Sequence, residues 1–168
     1  MKTIVLVGFM GAGKSAVGQA LAQTLGQTFY DLDELVEAEL GMPIAAYFAD
    51  FGEAAFRQRE HAVLQKALSL PGVIATGGGI ITQKANRDLL QQQQGVVYLK
   101  GQVDLLIQRI RQDRQNVRPL AVERNDEELA ALFFSRESFY LTSSQIVVAT
   151  DHQSVDAIVK KILQEVAQ

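Results

Sequence analysis

The segment Gly8-Phe9-Met10-Gly11-Ala12-Gly13-Lys14-Ser15 constrains this chain more than any other, because it fits the spacing G-x-x-x-x-G-K-[ST]. Before it, Thr3-Ile4-Val5-Leu6-Val7 is an apolar, mostly β-branched run suited to a buried parallel strand. After it, Val17, Leu21 and Leu25 recur at i, i+4 and i+8 on one helical face. Strand, loop and helix thus fall where a polyphosphate cradle needs them. The glycines let successive backbone N–H groups curl inward at a helix N-terminus. Lys14 can reach the β- and γ-phosphates of a nucleotide, and the Ser15 hydroxyl can ligate Mg²⁺.

The remainder alternates strand-like and helix-like runs, which predicts an α/β fold with a parallel sheet and helices on both faces. Thr28 to Asp33 reads as the second strand, Glu34 to Leu40 as a helix stopped by Gly41, and Pro43 as the start of a short helix. A longer helix is predicted from Gly52-Glu53 to about Leu70, ahead of Pro71-Gly72. Val73 to Thr76 is the third strand and runs into Gly77-Gly78-Gly79. Gln83 to Gln94 reads as a helix, and Val96 to Leu99 as the fourth strand. Helix Val103–Gln112, a polar loop to Arg124, helix Asp126–Thr142, strand Gln145–Val148 and helix Ser154–Val166 complete a single domain over residues 1–168.

Charge and composition exclude several function classes. A formal net charge of −3 gives no bulk attraction to nucleic acid or an anionic membrane. No cysteine is present, so disulfides, thiolate metal sites and thiol nucleophiles are ruled out. No apolar run approaches the ~20 residues of a spanning helix, and the expected location is the cytoplasm.

In an open parallel sheet, ligands sit at the carboxyl ends of the strands. Asp31 and Asp33, two apart in an extended strand end, would face one side. One could support Mg²⁺ beside Ser15 while the other binds an acceptor hydroxyl and takes its proton. The alternative is turn chemistry, with Asp33 capping the next helix. Gly77-Gly78-Gly79 lets backbone N–H groups approach a ligand with no side chain in the way; the alternative is a flexible turn. Glu53, Arg57 and Glu60 share a helical face. They form either a surface ion-pair ladder or a set in which Arg57 grips a substrate carboxylate and the glutamates orient its fork. Arg109, Arg111, Arg114 and Arg118 precede Pro119, and read as a lid over the triphosphate or as a solvated charged loop. Arg136 is a second anion clamp or an ordinary partner of Glu137 or another nearby acid. His61 and His152 are isolated and read as structural or exposed.

In this order and spacing the motifs make the chain similar to shikimate kinases over essentially its whole length. The residues that carry the resemblance are Gly8-x-x-Gly11-x-Gly13-Lys14-Ser15, Asp31-x-Asp33, Gly52-Glu53-x-x-Phe56-Arg57-x-x-Glu60, Gly77-Gly78-Gly79, Arg118-Pro119-Leu120 and Arg136-x-x-x-Tyr140. The resemblance implies ATP-dependent phosphorylation of the 3-hydroxyl of shikimate, on the route to chorismate and the aromatic amino acids. It also implies a phosphate-loop three-layer fold like the nucleoside monophosphate kinases, with parallel strand order 2-3-1-4-5 and a mobile lid at about 112–124.

Carried onto this chain, Gly11, Ala12, Gly13, Lys14, Ser15 and Ala16 would bind ATP, with Ser15 and Asp31 serving Mg²⁺. Lys14, Asp33 and Arg118 would be catalytic, Asp33 as the candidate base and Arg118 as the lid arginine. Asp33, Arg57, Gly78, Gly79 and Arg136 would bind shikimate, the arginines at its carboxylate, with the substrate-binding region at about 33–61. Arg111 resembles a position that stacks on adenine, and Gln153 a late loop at the nucleotide. The expected enzyme is a monomer acting on shikimate and ATP. Ala121 after Leu120, and Ala16 where a threonine is usual, depart from the pattern without touching the proposed chemistry. A kinase similar to gluconate kinase would not need Arg57, the three glycines and Arg136 together. A nucleotide-dependent switch would have no use for the carboxylate pair.

Overall fold

A computed structural model describes residues 2–113 and 123–167. The strands are β1 (Ile4–Val7), β2 (Phe29–Asp31), β3 (Val73–Ala75), β4 (Val96–Lys100) and β5 (Ile146–Ala149). They form one parallel sheet in the order β2-β3-β1-β4-β5, as the resemblance implies. β1 lies at the centre, with Val5 matched to Ile74 on one side and to Val96 on the other. Val5, Leu6 and Val7 are all fully buried. Successive strand residues point to opposite faces, so both faces of the sheet are covered.

The helices among the described residues are α1 (Lys14–Leu25), α2 (Leu32–Leu40), α3 (Ile44–Ala67), α4 (Lys84–Gln91), α5 (Val103–Gln112), α6 (Asp126–Ser143) and α7 (Val155–Val166). α1 packs on α7, while α4 and α5 pack on α6. Local chemistry sets their ends. Asn125 and Glu128 form a reciprocal capping box at the start of α6, and the Ser154 side chain caps α7. Among the described residues no helix is long and apolar enough to cross a membrane.

Three expected boundaries move. The second strand ends at Asp31 because Leu32 already begins α2, so Asp33 sits in the first helical turn rather than in extended chain. Asp31, not Asp33, caps that helix: its Oδ1 accepts from the N–H groups of Asp33 at 2.9 Å and Glu34 at 3.3 Å. The short helix after Pro43 and the longer one from Gly52 run end to end as α3, kinked where Gly52 takes φ 86° and ψ 170°. That helix closes at Ala67, ahead of the Pro71-Gly72 break. A short 3-10 turn, Ile80–Thr82, follows the three glycines, and Ile80 and Ile81 are buried beneath it.

The phosphate loop sits against the helices that follow β4. Gly11 has φ +81°, and a Cβ there would lie 2.7 Å from the Leu106 carbonyl oxygen on α5. Gly13 has φ +85° but nothing within 4 Å of that position. Gly11→Ala is therefore expected to lower stability by roughly 2–4 kcal/mol, from the left-handed backbone and the clash together. Gly13→Ala meets only the backbone penalty of about 1–2 kcal/mol. Equal losses for the two variants in urea unfolding would refute the packing of the loop on α5.

Candidate active site

Three loops at the carboxyl ends of neighbouring strands meet here. The loop after β1 is the phosphate cradle: Gly13 precedes α1, and Lys14 and Ser15 occupy its first turn, where N–H groups lack helical acceptors. The Lys14 ammonium bends back to donate to the carbonyls of Gly8 at 2.5 Å and Phe9 at 3.1 Å. It is thereby held over the concave side of its own loop. The loop after β3 abuts this one, since a Cβ on Gly78 would lie 3.7 Å from Met10 N and 3.8 Å from Gly8 O. Arg109 links the cradle to the loop after β5, with Nη1 toward Gly11 O and Nη2 toward Thr150 O, each at 3.4 Å.

Asp33 is half-buried on the first turn of α2, facing the three glycines. A Cβ on Gly77 would stand 3.0 Å from its Oδ1, so a side chain there would press on the carboxylate. Burial pushes the Asp33 pKa up from its ordinary value, and Asp31 and Glu37 add to the rise. Lys14 and Arg57 oppose it. The result is a carboxylate more basic than usual, within the fields of the phosphate-loop lysine and of Arg57.

On the second half of α3, the ladder reading fails for Glu60, whose residue exposure is 2%. Arg57 Nη1 donates to Glu60 Oε1 at 2.8 Å, while Glu53 is exposed and only loosely paired, 3.7 Å from Arg57 Nε. Burial raises the Glu60 pKa and Arg57 pulls it back down. The Arg57 fork then reaches the third glycine: a Cβ on Gly79 would lie 2.9 Å from Nη2. His61 joins this framework through a 2.7 Å contact with the buried Asn86, whose amide donates to Ile80 O at 3.0 Å.

Arg136, half-buried on α6 one turn before the Gly78-bonded Tyr140, pairs with no carboxylate among the described residues, Glu137 included. Burial lowers its pKa, Tyr140 offsets this, and Arg57 and Arg124 repel it. Two mutually repelling guanidinium groups are thus held near the glycine turn.

Asp33, Arg57, Gly78, Gly79 and Arg136 are thus brought together beside the cradle. Arg118, Arg114 and most of the expected lid lie outside the described residues. Arg111, at the end of α5, donates to Asp126 Oδ1 at 3.1 Å and to Arg124 O at 2.6 Å, and Gln153 is exposed after β5. Sequence reading did not assign a role to Tyr140, whose i, i+4 spacing from Arg136 was the available signal.

A phosphate loop with a half-buried carboxylate and two arginines beside it on this sheet is the equipment of a small-molecule kinase of the phosphate-loop class. A family model described as shikimate kinase matches residues 10–167. The chain belongs to the shikimate kinase family and is an ATP-using kinase. A shikimate kinase of Enterococcus faecalis is 41% identical over 168 residues, covering 100% of both chains. One of Lactococcus lactis subsp. lactis is 42% identical over 163 residues, covering 97% of each. The solved shikimate kinase of Acinetobacter baumannii in complex with shikimate superposes with TM-score 0.89 at 40% identity, over 99% of this chain and 93% of that one. A gluconokinase of Sinorhizobium meliloti, at TM-score 0.61 and 21% identity over 99% of this chain and 91% of its own, shares the fold alone.

Proposed function

We propose that this chain transfers the γ-phosphoryl group of ATP to the 3-hydroxyl of shikimate, giving shikimate 3-phosphate and ADP for aromatic amino acid biosynthesis. The observation that carries this reading is the half-buried Arg136. It has no carboxylate partner among the described residues, it lies within the field of Arg57, and it stands one turn before Tyr140, whose hydroxyl bonds Gly78. That arrangement suits an acceptor bearing both a carboxylate and a hydroxyl. Arg57 and Arg136 hold the carboxylate and so fix the ring, with Gly78 and Gly79 lining its path. Asp33 orients the attacking hydroxyl and receives its proton as the oxygen–phosphorus bond forms and the bond to the β-phosphate breaks.

Lys14 exchanges its two loop carbonyls for the β- and γ-phosphates, and the backbone from Gly11 to Ala16 cradles them. Among the described residues no cluster of three or more His, Cys, Asp or Glu could cage a metal. The Ser15 hydroxyl and the Asp31 carboxylate are instead hard oxygen donors of the kind that hold Mg²⁺ together with nucleotide phosphates. When bound, Mg²⁺ neutralises phosphate charge. Arg118 serves as the lid arginine. Arg111, whose N–H edge is engaged by Asp126 and Arg124, offers its planar face to adenine, and Gln153 borders the same end.

The enzyme so read is a single-domain monomer, and use of ATP suits the cytoplasm. The test is ADP release from Mg-ATP in a coupled assay with shikimate, quinate, gluconate, AMP or no acceptor. Turnover with shikimate alone is expected. Turnover with quinate or gluconate instead would keep the carboxylate grip and overturn the choice of shikimate, whereas turnover with AMP alone would remove the carboxylate assignment of Arg57 and Arg136.

A further inference from the structure

Tyr140 is fully buried on α6, yet its hydroxyl is engaged at the centre of the site: it donates to the Gly78 carbonyl at 2.6 Å. Arg136 lies one turn earlier on the same helix, and Tyr140 is the neighbour that raises its pKa against the effect of burial. Its ring lies against Tyr98 of β4, with centroids 5.2 Å apart and planes 20° from parallel. The sheet therefore sets the ring, and the ring sets the hydroxyl, which meets the glycine turn one helical turn from Arg136. Further side-chain bonds hold the far side of that turn: Thr82 Oγ1 donates to Gly79 O at 2.8 Å and Asn86 to Ile80 O. On the side toward Arg136, Tyr140 supplies the side-chain bond to Gly78.

We propose that Tyr140 is a positioning residue for the acceptor, locking the Gly78 turn and the Arg136 guanidinium into one geometry around the acceptor carboxylate. This rests on the reading that Arg136 and Gly78 bind shikimate. A tyrosine suits the task because one phenolic oxygen can donate its proton to the Gly78 carbonyl and still present lone pairs to a cation. A phenylalanine keeps the stack and loses both links.

The test is Tyr140→Phe beside Arg136→Met, with Tyr98→Phe as a control for the stack. The Tyr98 hydroxyl is buried with no hydrogen-bond partner, so Tyr98→Phe should leave shikimate kinetics unchanged. Tyr140→Phe should raise KM for shikimate roughly tenfold, the loss expected for one to two hydrogen bonds that include a charged group. Its KM for ATP and its thermal midpoint should stay close to the parent's. For an analogue with a hydroxymethyl group in place of the carboxylate, Tyr140→Phe should behave like the parent, because the Arg136 grip is absent for both. A falling thermal midpoint with unchanged KM for shikimate would make Tyr140 merely structural and overturn the proposal. If Tyr140→Phe is silent while Arg136→Met raises KM, the proposal alone falls. If both are silent, the carboxylate reading falls with it.

Discussion

Asp33→Asn should remove turnover while making the protein more stable at neutral pH. Loss of a positioned general base lowers kcat by a factor on the order of 10²–10⁴, and nucleotide binding, which uses the other loop, should survive. The stability gain follows from the direction of the Asp33 shift. Its folded pKa is raised above the ordinary value of 3.8, chiefly by burial. The folded state therefore prefers the neutral acid, and the group's favourable contribution is complete below the unfolded pKa and lost as pH rises through the folded one. At pH 7 the ionised Asp33 opposes folding, and asparagine removes that opposition. Urea unfolding at pH 7 should show Asp33→Asn at or above the parent. A parent acid limb in kcat above the usual carboxylate range, absent from any residual activity of the variant, would identify the titrating group. Retained kcat would sink the assignment of Asp33.

Arg57→Ala has two separable costs. The first is on the acceptor: a charge-assisted grip on a carboxylate is lost, lowering kcat/KM for shikimate by a factor on the order of 10² or more. The second is on the fold. Glu60, 2% exposed, would keep its buried carboxylate without the 2.8 Å guanidinium partner. Breaking such a pair from one side costs about 3–5 kcal/mol. Adding Glu60→Gln removes the uncompensated charge, so Arg57→Ala/Glu60→Gln should recover much of the stability and none of the shikimate affinity. Recovery of activity in the double variant would mean that Arg57 acts only through the fold.

Much of this was legible in the sequence, and the parts that were not share a cause. Gly8 to Ser15 could be read because its strand, loop and helix are contiguous and each signals itself locally. The sheet order could be read only through resemblance, since no local pattern says that β1 pairs with both β3 and β4. The same-side argument for Asp31 and Asp33 assumed extended chain. The Asp31 cap starts α2 one residue later and turns Asp33 into a helical residue, and Asp33 still reaches the site because α2 points it at Gly77. Glu53 and Glu60 look equivalent around Arg57 by spacing. Tertiary packing buries one and leaves the other at the surface. Tyr140 stood in a motif with Arg136, but its contact with Gly78 joins residues far apart in the chain, which no periodicity encodes.

The central place of β1 also dictates an order of events as the chain is made. Ile4–Val7 leaves the ribosome first and is the most buried strand, yet its partners at Val73–Ala75 and Val96–Lys100 come much later. Until they emerge, an apolar β-branched strand has both edges open, the kind of non-local pairing that slows folding and exposes a chain to aggregation. Nor can the phosphate loop take its shape early, because Gly8 and Gly11 rest against Leu99 and Leu106. Nascent chains stalled before Lys100 should thus lack a formed nucleotide cradle, although every residue of the cradle has already been made.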